Sequence, residues 1–169
     1  VVNEELNPYK NKNYLKELEL TPYYWRKYSK IDLKTEMFGH VYDAPLGIAP
    51  VGLQGLMWPN ATEILAKAAR KHNIPFVLST VTTSNIERIS ELTESNAWFQ
   101  LYHPAEDSLR DDILKRLTAA NSPVLVLLCD VPSFGYRTRD IRNGLAQPPR
   151  RTLKHSIQIS GSPNLTLKE

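Results

Sequence analysis

Cysteine is nearly absent: Cys129 stands alone in 169 residues, so no internal disulfide can form. It lies in an apolar run, and a buried, reduced, inert thiol is expected there. Long hydrophobic runs are missing too, since none approaches the roughly 20 residues that a membrane span needs. The start V-V-N-E-E has neither the basic n-region nor the apolar h-region of a signal peptide, and a cytoplasmic location is expected. It also lacks an initiator methionine, which suggests residues upstream. Excess charge is small, with 21 basic against 18 acidic side chains and a net charge of +3. That balance requires no nucleic acid and leaves room for an anionic small ligand. The four histidines show no metal-ligand spacing, and His103 and His155 read as surface residues. Nucleophile elbow, phosphate-loop lysine and zinc patterns are all absent, so no metal site is expected.

What is present centres on residues 44–59, A-P-L-G-I-A-P-V-G-L-Q-G-L-M-W-P. A short apolar strand, Leu46 to Ala49, runs into Pro50, which cannot donate to a sheet ladder. Gly52 and Gly55 follow, where a chain without Cβ atoms can approach a flat ligand closely. Strand, glycine-containing loop and helix in that order make the first βα unit of an α/β protein. In such folds the chemistry gathers at the carboxyl ends of the strands.

The rest divides into three stretches. Residues 1–43 read as an N-terminal extension packing on the rest of the domain: a helix lined by Tyr14, Leu15, Leu18 and Leu20, then a hairpin from Met37 to Tyr42. Between them Tyr23, Tyr24, Trp25 and Tyr28 interleave with Arg26, Lys27 and Lys30. This resembles a nucleic-acid surface, but rings packed on the domain with their charges in water are the favoured reading. Residues 44–130 hold βα units one to three plus strand four. Strands are expected at Leu46 to Ala49, Ile74 to Leu78, Ala97 to Tyr102 and Pro123 to Cys129, the last apolar on both faces. Helices between them carry the stripes Ala61/Ile64/Leu65/Ala68/Ala69, Ile86/Ile89/Leu92 and Leu109/Ile113/Leu114/Leu117. Asn60 with Glu63 and Ser84 with Glu87 match capping boxes. Pro104 suits the first turn of the third helix, and Asp111–Lys115 and Asp112–Arg116 are spaced as i,i+4 pairs. Residues 131–169 form a long loop region after strand four, with one weak alternating stretch, Ser156 to Ile159.

Each strand is apolar in its body and polar at its exit. The exits offer Pro50, Val51, Gly52 and Gln54, then Ser79 and Thr80, then Gln100 and Tyr102, then Asp130. Period-two alternation puts Trp98, Gln100 and Tyr102 on one face. A glutamine inside an apolar strand must find partners or cost roughly 1–3 kcal/mol. A neighbouring backbone group is one solution. A flat heterocycle with amide-like edges is the other, and the company of Ser79, Tyr102 and the Gly52 loop favours it. Arg137, in D-V-P-S-F-G-Y-R-T-R-D-I-R-N-G, is suited to bidentate capture of a carboxylate or phosphate. Arg139 and Arg142 compete for that role, and each reads as solvated or paired with Asp140.

The motifs P-L-G-I-A-P-V-G-L-Q-G, P-F-V-L-S-T-V-T-T-S, W-F-Q-L-Y and D-V-P-S-F-G-Y-R-T-R-D-I-R-N-G together resemble the FMN-dependent 2-hydroxy-acid oxidoreductases. That group includes glycolate oxidase, lactate oxidase and the flavin lactate and mandelate dehydrogenases. The resemblance implies a (β/α)₈ TIM barrel with FMN as cofactor across its strand exits. By position, the backbone at Pro50, Val51 and Gly52 would contact the flavin, and Ser79 and Gln100 would hydrogen-bond its polar rim. Tyr102 would touch the hydroxyl of a small L-2-hydroxy acid such as lactate or glycolate, and Arg137 would hold its carboxylate. Hydride would pass from the substrate α-carbon to flavin N5, giving the 2-oxo acid. The resemblance also implies a homo-oligomer and an electron acceptor that is oxygen, a quinone or a cytochrome.

The chain departs from that pattern at three points. Valine stands at 51 and leucine at 128 where many members carry threonine. The family's histidine base, its flavin-contacting lysine, a second carboxylate-binding arginine and the phosphate loops belong to the other barrel half, so no catalytic base is expected before Glu169. The chain is therefore expected to be the first half of the barrel, inactive by itself, since a full barrel of this type needs about 250 residues. Competing readings are another FMN barrel, such as a type 2 isopentenyl diphosphate isomerase, and a non-catalytic half-barrel interaction module. Some family members attach to membranes through the loop after strand four, but Leu145 to Leu153 is proline-rich and basic here.

Overall fold

The computed structural model describes residues 6–27, 29–129 and 138–142. Arg137, Asp130, His155, Tyr28 and the stretch Ser156 to Ile159 lie outside the described residues. Two compact units divide the chain, residues 32–130 with 167–169, and residues 1–31 with 131–166.

In the first unit a hairpin precedes the sheet. Strands β1 (Thr35–Met37) and β2 (His40–Tyr42) pair antiparallel through Phe38 and Gly39. Both turn residues have positive φ, 52° and 78°, as a two-residue hairpin turn that follows the strand twist requires. The chain then reaches the first sheet position. The expected strand at 46–49 is reduced to one parallel bridge, Ile48 with Phe76, made by Ile48 N–H to Pro75 O (2.8 Å) and Val77 N–H to Ile48 O (3.0 Å). Pro45 and Pro50 bracket the segment and supply no donors, which keeps the ladder short.

After the short helix α2 (Gln54–Met57) the alternation becomes regular: α3 (Ala61–Lys71), β3 (Phe76–Ser79), α4 (Ile86–Thr93), β4 (Ala97–Tyr102), α5 (Asp107–Ala119) and β5 (Leu125–Leu128). The strands pair in chain order, β3 with β4 and β4 with β5, all parallel. Sequential parallel strands with a helix between each pair are the expected βα units of a barrel. One sheet face packs on the helices. Phe76, Leu78, Ala97, Phe99 and Leu101 meet Ala66, Ala69, Ile86, Ile89, Ile113 and Leu117 in a single core.

Several local expectations shift. Asn60 precedes α3 in a left-handed conformation (φ 56°) and makes no side-chain cap bond. A capping side chain needs extended backbone to reach the next amides, so the Asn60–Glu63 box does not form, and Glu63 instead accepts from Ser84 Oγ at 2.6 Å. Since Ser84 is so engaged, Asn85 caps α4, accepting from Arg88 N at 2.9 Å. The buried stripe of α3 runs through Thr62, Ala66 and Ala69, with Ile64 exposed. Helix α5 starts at Asp107, past Pro104, and Leu109 is exposed. Asp112 does face Arg116, at 3.9 Å, whereas Asp111 pairs with Arg110. On β5, Leu125 and Leu127 are 47% and 53% exposed and Cys129 is exposed, because no described residue covers that side of the edge strand. The expected burial of strand four on both faces, and of its thiol, is thus not met.

In the second unit α1 (Leu6–Glu17) has no buried residue and ends before Leu18 and Leu20, which are exposed. Within that unit Tyr23, Tyr24 and Trp25 are exposed, and the Arg26 guanidinium lies 4.5 Å from the Tyr23 ring centre. Helix α6 spans Thr138–Arg142, and Arg142 is exposed. No helix among the described residues is long and apolar enough to cross a membrane.

Candidate active site at the strand exits

The two ends of the sheet are built differently. At the amino end the hairpin closes on the strand starts. Tyr42 is fully buried, donates to Asn96 Oδ1 (3.3 Å) and accepts from Trp98 Nε1 (3.0 Å). Asn73 ties the same end together by donating to Val41 O (3.0 Å) and Asp43 Oδ1 (3.1 Å). Ser122 adds a further tie there, donating from Oγ to Ala97 O at 2.8 Å.

The carboxyl end is different. The pairs Val77 with Trp98, Ser79 with Gln100, Gln100 with Val126 and Tyr102 with Leu128 place these side chains on the face away from the helices. Ser79 is buried and donates to Gln100 Oε1 at 3.2 Å, while its oxygen accepts from Val81 N at 3.2 Å. Gln100 is 2% exposed, and its Nε2 has no acceptor among the described residues. Neighbouring backbone therefore does not satisfy the carboxamide nitrogen. Tyr102, one pleat further out, is 37% exposed.

The loop after the first bridge reaches the same end. Leu53 N–H donates to Val81 O at 2.7 Å, which joins the Val51–Gly55 segment to the exit of β3. Its glycines also serve the packing of two loops. A Cβ on Gly52 would lie 3.3 Å from Val81 O, and one on Gly55 would collide with the Thr83 hydroxyl. The bare α-carbons let the two loops lie together, and the peptide edge at exposed Val51 and Gly52 stays open. Pro50, Val51, Gly52, Ser79, Gln100 and Tyr102 thus share one end of one sheet. Arg137 falls outside the described residues.

Two residues not singled out as ligands also belong here. Gln54 is buried with its Oε1 unpartnered. Thr80 bonds twice to β4, donating from Oγ1 to Gln100 O and accepting from Tyr102 N at 2.9 Å. Polar residues directly after an apolar strand were the available signal for both. Among the described residues no cluster of His, Cys, Asp or Glu could hold a metal ion.

The unpartnered donor on Gln100, with a hydroxyl beside it and an open peptide edge near by, fits the imide-like rim of a flavin. Comparison with known proteins agrees. The family model for FMN-dependent dehydrogenase matches residues 2–169. The chain is 37% identical over 134 residues to an L-lactate dehydrogenase of Ectopseudomonas mendocina, covering 79% of this chain and 35% of that protein. It is 35% identical over 142 residues to the L-lactate dehydrogenase of Vibrio parahaemolyticus, covering 84% and 37%. A crystal structure of mandelate oxidase superposes with a TM-score of 0.81 at 29% identity, over 86% of this chain and 42% of that one. Another mandelate oxidase structure, carrying a C4a-OH-FMN adduct, matches equally well at 28% identity. The fold is that of part of a TIM barrel, and the chain spans little more than a third of the curated relatives it matches. On motif, fold and family match together, the chain belongs to the FMN-dependent dehydrogenase family.

Proposed function

We propose that this chain forms the flavin-rim half of an FMN-dependent enzyme that oxidises a small L-2-hydroxy acid, lactate- or glycolate-like, to the 2-oxo acid. The observation that carries the reading is the Gln100 carboxamide, buried, held at its oxygen by Ser79 and unpartnered at its nitrogen. FMN, when bound, supplies the acceptor for the substrate hydride. Gln100 and Ser79 would meet its polar rim, with the peptide edge from Pro50 to Gly52 beside it. Tyr102 would receive the substrate hydroxyl and Arg137 the carboxylate. The proton-accepting base lies outside this chain, as the family resemblance implies. The assembled enzyme would be a homo-oligomer passing its electrons to oxygen, a quinone or a cytochrome.

The test uses the full-length gene product loaded with FMN. Glycolate, L-lactate and (S)-mandelate are added without oxygen, and flavin absorbance is followed. Bleaching by at least one of them is expected. A protein that holds FMN and is bleached by none of the three overturns the reading.

A further inference from the structure

In a parallel ladder the rungs alternate in a fixed way. Thr80 N–H donates to Gln100 O at 3.0 Å, so the next rung should run from Tyr102 N–H to the Thr80 carbonyl. It does not. Regular pairing stops at Ser79 with Gln100, and Tyr102 N–H goes instead to the Thr80 hydroxyl at 2.9 Å. That hydroxyl donates in turn to Gln100 O. The side chain has taken the place of the backbone carbonyl, and the chain is free to turn away at Thr80. The turn brings Val81 N–H to Ser79 Oγ (3.2 Å) and Val81 O to Leu53 N–H (2.7 Å). One threonine hydroxyl therefore does two things. It holds the outer end of β4 in register, and it allows the β3 exit to meet the Gly52 loop.

We propose that Thr80 is a positioning residue that fixes Tyr102 relative to Gln100, so that a phenol addressed to substrate and a carboxamide addressed to the flavin rim keep one spacing. This inference rests on the functional reading above. Serine keeps the hydroxyl, whereas valine keeps the shape and loses both bonds. Thr80→Val should leave FMN bound, since Ser79 and Gln100 are intact, and lower kcat/KM by about tenfold, the size of one hydrogen bond made at the reacting position. Thr80→Ser should retain most of the activity.

Two measurements on the FMN-loaded, full-length protein decide the matter. The first is amide hydrogen exchange at Tyr102. Thr80→Val should exchange much faster there and Thr80→Ser should not, and unchanged protection in Thr80→Val overturns the proposal. The second is a double-mutant cycle with Tyr102→Phe, because residues acting through one another are not additive. Thr80→Val should cost less than about twofold once the phenol is gone, whereas full multiplication of the two effects overturns the positioning role. If the parent protein turns over no 2-hydroxy acid, the functional reading fails by itself. Exchange at Tyr102 then still supports or overturns the Thr80 rung.

Discussion

At the scale of single residues, Gln100 separates a structural side chain from a functional one. A buried amide nitrogen without an acceptor destabilises the flavin-free fold by about 1–3 kcal/mol. Gln100→Leu removes that unpaired donor while roughly keeping volume and apolar character. It also strips the acceptor from the buried Ser79 hydroxyl, which offsets that gain, so the flavin-free protein is expected within about 1 kcal/mol of the parent while FMN affinity falls at least about tenfold. Denaturant midpoints without flavin and a fluorescence titration with it check the two halves. A loss of more than about 2 kcal/mol in the flavin-free protein would mean that Gln100 was a structural glutamine after all. Leu128 offers the converse experiment. It lies opposite Tyr102 on the side of β5 away from the helices, at the position where many family members carry threonine. Leu128→Thr is expected to tighten FMN binding several-fold, the worth of one added hydrogen bond at about 1 kcal/mol. The same titration reads it, and unaltered affinity would place the flavin out of reach of β5.

Among the elements, the α4–α5 contact carries a pH dependence. Arg116 donates from Nε (2.7 Å) and Nη2 (2.9 Å) to the two oxygens of Glu87. These bonds hold the Glu87 carboxyl at about 2, below its ordinary 4.5. A depressed carboxylate value gives stability that is complete above pH 4.5 and is lost as pH falls from there towards about 2. Both side chains are substantially open to water, at 56% and 40%, so screening keeps the contribution below about 1 kcal/mol. Glu87→Gln is expected to cost less than that at pH 7 and to converge with the parent near pH 2. Paired denaturation curves across that range measure it, because the other carboxylates titrate alike in both proteins. This clamp also shows what was legible beforehand. The strand Ala97 to Tyr102 was readable to the residue, since its alternation of large apolar groups with Trp98, Gln100 and Tyr102 admits one register. The contact between Glu87 and Arg116, which stand 29 positions apart, was not, and Glu87 read instead as half of a capping box. Caps failed for a similar reason. Asn60 and Ser84 have the right chemistry, but the left-handed turn at Asn60 and the reach of Glu63 to Ser84 are set by how α3 meets α4. The polar exits of the strands were visible, whereas Thr80's exchange of backbone for side chain depends on where the ladder breaks.

At the scale of the molecule, the described residues finish one face of the sheet and leave one of its edges open. The helices cover Phe76, Leu78, Phe99 and Leu101, while Leu125 and Leu127 on the same side of β5 stay half exposed. Beyond β5 no strand among the described residues pairs with its outer edge. V-L-V-L-L-C has the pattern of a strand buried on both sides, which matches its burial in a complete barrel. An open parallel edge with leucines beside it is a template for another strand. The 169-residue chain produced by itself is therefore expected to self-associate in a concentration-dependent way and to hold FMN weakly. Light scattering during size-exclusion chromatography, with free FMN added, measures both. Leu125→Glu together with Leu127→Glu should shift the chain towards monomer without restoring FMN binding, because these side chains lie on the helix side and not on the face of Gln100 and Tyr102. If the doubly substituted chain associates as strongly as the parent, β5 is not the surface responsible, and the exposed aromatic stretch from Tyr23 to Trp25 becomes the segment to change next.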